Sequence, residues 1–195
     1  MQLRPHDNRD GMKVWLNEDE VDQLIDHPDE KQRQLAFALA ARCGLRSQEV
    51  LDVCPDDLVD NGDTGHYLTV EGKGDKYRET PVNRNLATRI ETIDEYRPED
   101  SSEPLIDVST TQSLRLWIKD AREKLADETD NGRWLHLSMH DLRRTWADSL
   151  SAKDVDALVV LDWGGWSDIE TFLDHYRGTQ TPEAQRRERA KVDWL

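Results

Sequence analysis

The sequence predicts an α+β fold, mostly α-helical, with one small antiparallel β-sheet. Three observations predict it. Apolar residues recur at helical spacing over most of the chain. The stretch from Asp60 to Val82 instead carries Asn61-Gly62, Gly65, Gly72 and Gly74 around two extended runs. Capping residues and Gly or Pro stops bracket the helical stretches. At 195 residues the chain suits one domain with a real core.

Residues 1 to 14 are polar and predict a loose arm. Asn17-Glu18-Asp19-Glu20 then reads as a helix start, with Asn17 as cap and Glu20 at the reciprocal position, and the helix runs to about His27. Lys31 to Cys43 is rich in Ala and Leu and stops at Gly44, a residue able to take the left-handed conformation after a helix. Ser47 can cap a short third helix that ends before Pro55. Tyr67 to Val70 and Tyr77 to Val82 are the two strands of a β-ribbon. Helical periodicity returns from Leu86 to Tyr96. It returns again from Thr111 to Leu125, which sets Leu114, Trp117, Ile118, Ala121 and Leu125 on one face, and residues 97 to 108 between the two are a loop. Ser138 with Asp141 starts a helix to about Leu150. Asp154 starts one ending at Gly164-Gly165, Ser167 with Glu170 one ending at Gly178, and Thr181-Pro182-Glu183 a last charged helix.

Composition excludes several classes of function. No stretch approaches the roughly 20 apolar residues of a membrane span, and the first residues carry no signal-peptide core, so the expected location is the cytoplasm. Cys43 and Cys54 form no CxxC pair and are expected to be buried thiols. The balance of 26 basic against 41 acidic residues gives a net charge of −15, which by itself argues against a nucleic-acid partner. The basic residues are 8 Lys and 18 Arg, and the acids are scattered, a composition resembling that of proteins from salt-loving organisms. At 1 M salt the Debye length is about 3 Å, so local constellations decide binding and the acidic total does not exclude DNA.

Four constellations stand out, and each has an ordinary structural explanation. Arg46 follows the Gly44 helix stop and precedes Glu49, which suits a surface ion pair. Gly72-Lys73-Gly74-Asp75-Lys76-Tyr77-Arg78 is a basic hairpin tip that lacks the P-loop pattern and suits a solvated turn. His140 sits beside Arg143 and Arg144, with Leu142, Trp146 and Leu150 on another face of the same helix. Neighbouring positive charge favours the neutral imidazole that a general base needs. His136 and His140 offer a metal no third ligand. Gly164-Gly165-Trp166 precedes Ile169, Phe172, Leu173 and Tyr176, whose spacing suits core packing.

Taken together, the order resembles the catalytic domain of the tyrosine recombinases, the phage-integrase family. The resemblance runs from about Trp15 to Gly178. It rests on Gly44-Leu45-Arg46-x-x-Glu49, Gly72-Lys73-Gly74-x-Lys76-x-Arg78 with Pro81, His140-x-Leu142-Arg143-Arg144-Thr145, and Gly165-Trp166 upstream of Tyr176. It implies the family's catalytic-domain fold and site-specific cleavage and rejoining of double-stranded DNA through a 3′-phosphotyrosyl intermediate. Tyr176 would be the nucleophile, Arg46 and Arg143 the phosphate clamp, Lys73 the general acid for the leaving 5′ oxygen and His140 an aid to proton transfer. Trp166 would donate a hydrogen bond where relatives often carry a second His, and Glu49 would buttress Arg46. No metal or cofactor is implied. Assembly as a tetramer on DNA is, with an accessory DNA-binding protein, nucleoid association and a mobile element of a halophilic archaeon as further expectations. The expected organisation is an arm at 1–14, the catalytic domain at 15–180 and a C-terminal helix or tail at 181–195, with no separate N-terminal core-binding domain. A DNA-binding or regulatory module without strand exchange, and strand relaxation like that of a type IB topoisomerase, remain alternatives.

Overall fold

A helix that is apolar on every side must be surrounded, and α2 (Lys31–Arg42) buries all seven residues from Leu35 to Ala41. In the computed structural model, which describes residues 1–7, 10–72, 76–97, 102–176, 189–192 and 194, α1 (Glu18–Asp26), α3 (Ser47–Asp52) and α6 (Met139–Ala152) pack on this helix. α1 precedes it, held by the reciprocal Asn17–Glu20 cap, and α3 follows it. α4 (Arg84–Glu95) and the 19-residue α5 (Thr111–Thr129) come between α3 and α6. The face expected on α5 is buried at Leu114, Ile118, Ala121 and Leu125, with Trp117 partly covered.

Among the described residues two small sheets complete the domain. β3 (Leu58–Asp60), β4 (His66–Gly72) and β5 (Lys76–Val82) form an antiparallel sheet in that order, with Leu68 opposite Thr80 and Val70 opposite Arg78. β5 is an edge strand and so tolerates Pro81, which has no N–H to give. The Thr80 hydroxyl donates to the Cys43 carbonyl at 2.8 Å, tying β5 to the end of α2.

The second sheet corrects the expectation of a loose arm. β1 (Gln2–Pro5) and β2 (Met12–Trp15) form an antiparallel hairpin. It docks on α6 through two backbone amides, Val14 donating to Asp141 Oδ1 at 3.0 Å and Leu16 to Thr145 Oγ1 at 3.1 Å. Trp15 is buried, with the Arg4 and Arg144 guanidiniums 6.0 and 5.5 Å from its ring. The stretch reads as an arm because its partners lie more than 120 residues away.

Three details differ more finely. α7 (Ala157–Gly164) is capped by Asp156, while Asp154 takes a left-handed conformation before it. α8 (Ile169–Tyr176) is capped by Asp168, whose carboxylate accepts from the Glu170 and Thr171 amides, so the cap lies one residue after Ser167. Cys43 is buried, and burial pushes its thiol up to about 12; Cys54 is only half-buried, its Sγ reaching the Ser102 carbonyl at 3.3 Å. The charged helix expected from Thr181 lies outside the described residues up to position 188.

A smaller apolar cluster of Trp146, Ala147, Val160, Trp166 and Phe172 joins α6, α7 and α8 beside the main core. The candidate site lies along the seam between the two.

Candidate active site

The site begins where α2 ends. Gly44, at φ +66°, turns the chain so tightly that a Cβ there would meet the Trp146 ring at 2.3 Å, which admits no side chain. The turn puts Arg46 at the head of α3, with Glu49 one turn on and 8% exposed. Glu49 accepts from the Arg46 backbone amide at 2.7 Å and from Arg46 Nη1 at 2.7 Å. It also receives a two-pronged contact from Arg78 on β5, with Nη1 at 2.9 Å and Nη2 at 2.8 Å. Burial alone would raise this carboxyl, but the Arg78 and Arg46 contacts together outweigh it and hold Glu49 below the usual carboxylate range.

The end of α7 supplies the other half. The last four carbonyls of a helix lack partners within it. Here the Gly165 and Trp166 amides fold back onto Asp162 and Leu161. The next carbonyls go to arginines from three different elements. Arg78 Nε donates to Trp163 O at 2.9 Å, Arg143 Nη2 to Gly164 O at 2.5 Å and Arg46 Nη2 to Gly165 O at 3.0 Å. Arg143 also donates from Nη1 to Gly44 O, so it bridges the α2 and α7 termini. The negative end of the α7 dipole favours this gathering of cations.

Arg143 is 2% exposed. Its guanidinium lies 4.0 Å from the centre of the Trp166 ring, a cation–π contact. Trp166 stacks on Trp146 at 6.2 Å and takes the Phe172 edge at 5.1 Å, so the platform under Arg143 is fixed from α6 and α8. Burial, then the Arg46 charge and more weakly that of Arg78, lower the Arg143 pKa to about 9 against the support of Glu49, which leaves it charged at neutral pH. Three guanidiniums against one carboxylate leave two positive charges in excess at a site rimmed by Arg46, which is 42% exposed on its side chain. Such a site can take a tetrahedral oxyanion, because planar guanidinium forks match pairs of its oxygens.

The model of the phage integrase family matches residues 14–182. The chain belongs to the phage integrase family. It is 26% identical to the tyrosine recombinase XerA of Thermococcus kodakarensis, over 98% of this chain and 67% of that protein. It is 30% identical to XerD of Vibrio vulnificus, over 80% of this chain and 53% of that one. Among solved structures, XerA recombinase superposes with a TM-score of 0.71 at 20% identity, covering 91% of this chain and 64% of that one. XerH bound to its difH substrate gives 0.67 at 20% identity, covering 93% and 54%. The fold is therefore that of the tyrosine-recombinase catalytic domains. The chain spans about half to two thirds of the length of the curated relatives it matches.

In this integrase-family fold the residues singled out from sequence do not all converge. Arg46, Arg143 and Trp166 are brought together around the Gly164 and Gly165 carbonyls. His140 is exposed on the first turn of α6, three residues before Arg143. Arg144, expected beside them, turns away to pair with Asp141 in the buried layer under Trp15. Tyr176 closes α8, one turn after Phe172, and Lys73 lies outside the described residues. Trp166 presents its ring face to Arg143, a contact that a reading based on its N–H alone leaves out. The sequence assigns no role to Arg78 or to the α7 carbonyls. The available signal for Arg78 was its place in the hairpin motif; the carbonyls have none, because any sequence supplies them. Among the described residues no group of three or more His, Cys, Asp or Glu is placed to hold a metal ion.

Proposed function

We propose that this chain cleaves and rejoins double-stranded DNA through a 3′-phosphotyrosyl intermediate, as a site-specific recombinase. The observation that carries the reading is the convergence of Arg46 and Arg143, 97 positions apart in sequence, on adjacent carbonyls beside Trp166. The names of its relatives, tyrosine recombinases, support it. Arg46 and Arg143 exchange carbonyl partners for the non-bridging oxygens of the scissile phosphate and stabilise the charge that develops there. The Tyr176 oxygen attacks phosphorus, a phosphotyrosyl ester forms, and the bond to the 5′ oxygen breaks. His140 assists removal of the tyrosine proton and Lys73 protonates the departing oxygen. The reverse attack by a 5′ hydroxyl restores the DNA backbone, so the bond energy is conserved.

The same proposal includes assembly of four protomers on DNA and help from a further DNA-binding element or protein. It also places the acidic chain in a high-salt cell and on a mobile element, with the β1–β2 hairpin counted into a catalytic domain that runs to position 180 and a tail at 181–195. The test is a nicked duplex that traps the covalent product, incubated with the wild-type chain and Tyr176→Phe in molar KCl. A protein–DNA adduct on a denaturing gel that disappears in the variant supports the reading. A native-gel shift without an adduct makes the chain a binding module and refutes it.

A further inference from the structure

Arg78 has no part in the chemistry proposed above, yet it is the most heavily engaged arginine of the site. Its side chain is 7% exposed and faces the equally buried Glu49 carboxylate. Three of its five donors are placed on two separate elements, Nε on the last turn of α7 and both terminal nitrogens on Glu49 of α3. Its aliphatic stem lies against Gly165, where a Cβ would meet Arg78 Cδ at 2.6 Å. Gly165 is itself left-handed, at φ +62°. Arg46 shares the Glu49 anchor, through Nη1, and reaches the same α7 terminus at a different carbonyl, Gly165 O, through Nη2.

We infer that Arg78 is a positioning residue, which fixes the Arg46 guanidinium by locking Glu49 to the α7 terminus. It rests on the recombinase reading only for its effect on cleavage; the positioning itself is a property of the free protein. The guanidinium fork is required because the two anchors lie in different directions from β5 and need three donors at fixed angles. An ammonium at the same position carries the charge and three N–H donors, but they radiate from one point and cannot reproduce the parallel fork on both Glu49 oxygens together with the separate Nε contact to Trp163 O. The inference therefore separates geometry from field. If Arg78 merely adds positive charge near the phosphate, Lys serves as well; if it positions Arg46, Lys fails almost as badly as Gln.

Two measurements on the full chain test it, with Arg78→Lys and Arg78→Gln compared after thermal melts show both folded. The first is amide hydrogen exchange on the free protein. The Arg46 amide is held by Glu49, and those of Gly165 and Trp166 by the α7 turn. Positioning predicts exchange at these three at least about tenfold faster in Arg78→Lys, with α4 and α5 unchanged. Unchanged exchange at all three overturns the inference whatever the DNA does. The second is single-turnover cleavage of nicked duplexes carrying Rp or Sp phosphorothioate at the scissile position. Positioning predicts a loss of roughly a hundredfold with all-oxygen DNA, and collapse of the thio effect at the oxygen that Arg46 holds. A wild-type rate and thio effect in Arg78→Lys overturn it. If the wild-type chain forms no adduct at all, the recombinase reading fails and the exchange result alone decides the inference. Should both Arg78 variants fail to fold, Glu49→Asp, which keeps the charge and shortens the bridge, must show the same faster exchange, and normal exchange there overturns the inference.

Discussion

Replacing Gly44 by Ala puts a methyl group where the structure has no room. The residue sits at φ +66°, and its Cβ would lie 2.3 Å from Cε3 and 2.5 Å from Cδ2 of Trp146. An L side chain in the left-handed region costs about 1–2 kcal/mol. Overpacking a buried ring that cannot retreat costs about 1–3 kcal/mol more. The sum, about 2–5 kcal/mol, lowers the melting temperature of a domain this size by about 4–20 °C. Trp146 is 3% exposed and stacked on Trp166, so its displacement moves the platform under Arg143 and should lower the proposed cleavage as well as stability. The assay is a double-mutant cycle in urea with Trp146→Leu, which removes the obstructing ring. In that background Gly44→Ala should cost only the backbone part, leaving a coupling of about 1–3 kcal/mol. A loss below about 0.5 kcal/mol in the wild-type background, or no coupling with Trp146, refutes the reasoning.

Glu49→Gln leaves the Arg78 charge buried without its carboxylate and should cost about 3–5 kcal/mol in a urea melt at pH 7. Because the Glu49 carboxyl is held below its ordinary value, its contribution is complete above the unfolded value near 4.5 and disappears as pH falls through the lower folded value. The variant's deficit should therefore shrink as pH falls below the unfolded value. Asp148 behaves in the opposite sense. Burial pushes its carboxyl up to about 7 and one of its oxygens is buried without a hydrogen bond, so its ionisation destabilises the fold as pH rises from ~4 to ~7. Asp148→Asn should then add about 1–2 kcal/mol at pH 8 and nothing at pH 4, as read from melts at the two pH values. Asp141→Ala removes the acceptor for the Ser138 and Val14 amides and the partner of Arg144. Hydrogen exchange should show the β1–β2 hairpin opening at least about tenfold more often, with the β3–β5 sheet unaffected.

Much of the fold is legible in the chain because its signals are local. Asn17 with Glu20 caps α1, Gly44 stops α2, and the apolar face of α5 recurs every three or four residues. Errors occur where a distant partner or a choice between neighbours decides. The β1–β2 hairpin is held by Asp141 and Thr145 of α6, and nothing between Met1 and Trp15 announces that. Ser167 and Asp168 are both competent caps, and the carboxylate takes the role. β3 is three residues long and has no period to detect. At the site, the order of Arg46, Arg143 and Trp166 is visible in sequence, as is the pairing of Arg46 with Glu49 three residues on. That three arginines share the carbonyls of Trp163, Gly164 and Gly165 is a consequence of how α7 ends in space. Arg78 belongs to that arrangement, and its alternation along β5 does not reveal that it faces Glu49.

The proposed cleavage joins one tyrosine, Tyr176, to DNA. The chain has four tyrosines, Tyr67, Tyr77, Tyr96 and Tyr176. The most direct measurement is to trap the adduct on a nicked duplex, digest protein and DNA, and locate the residual nucleotide by tandem mass spectrometry. The account predicts a 3′-linked nucleotide on the peptide containing Tyr176 and on no other. A nucleotide on Tyr67, Tyr77 or Tyr96, or on a serine or histidine, would contradict it.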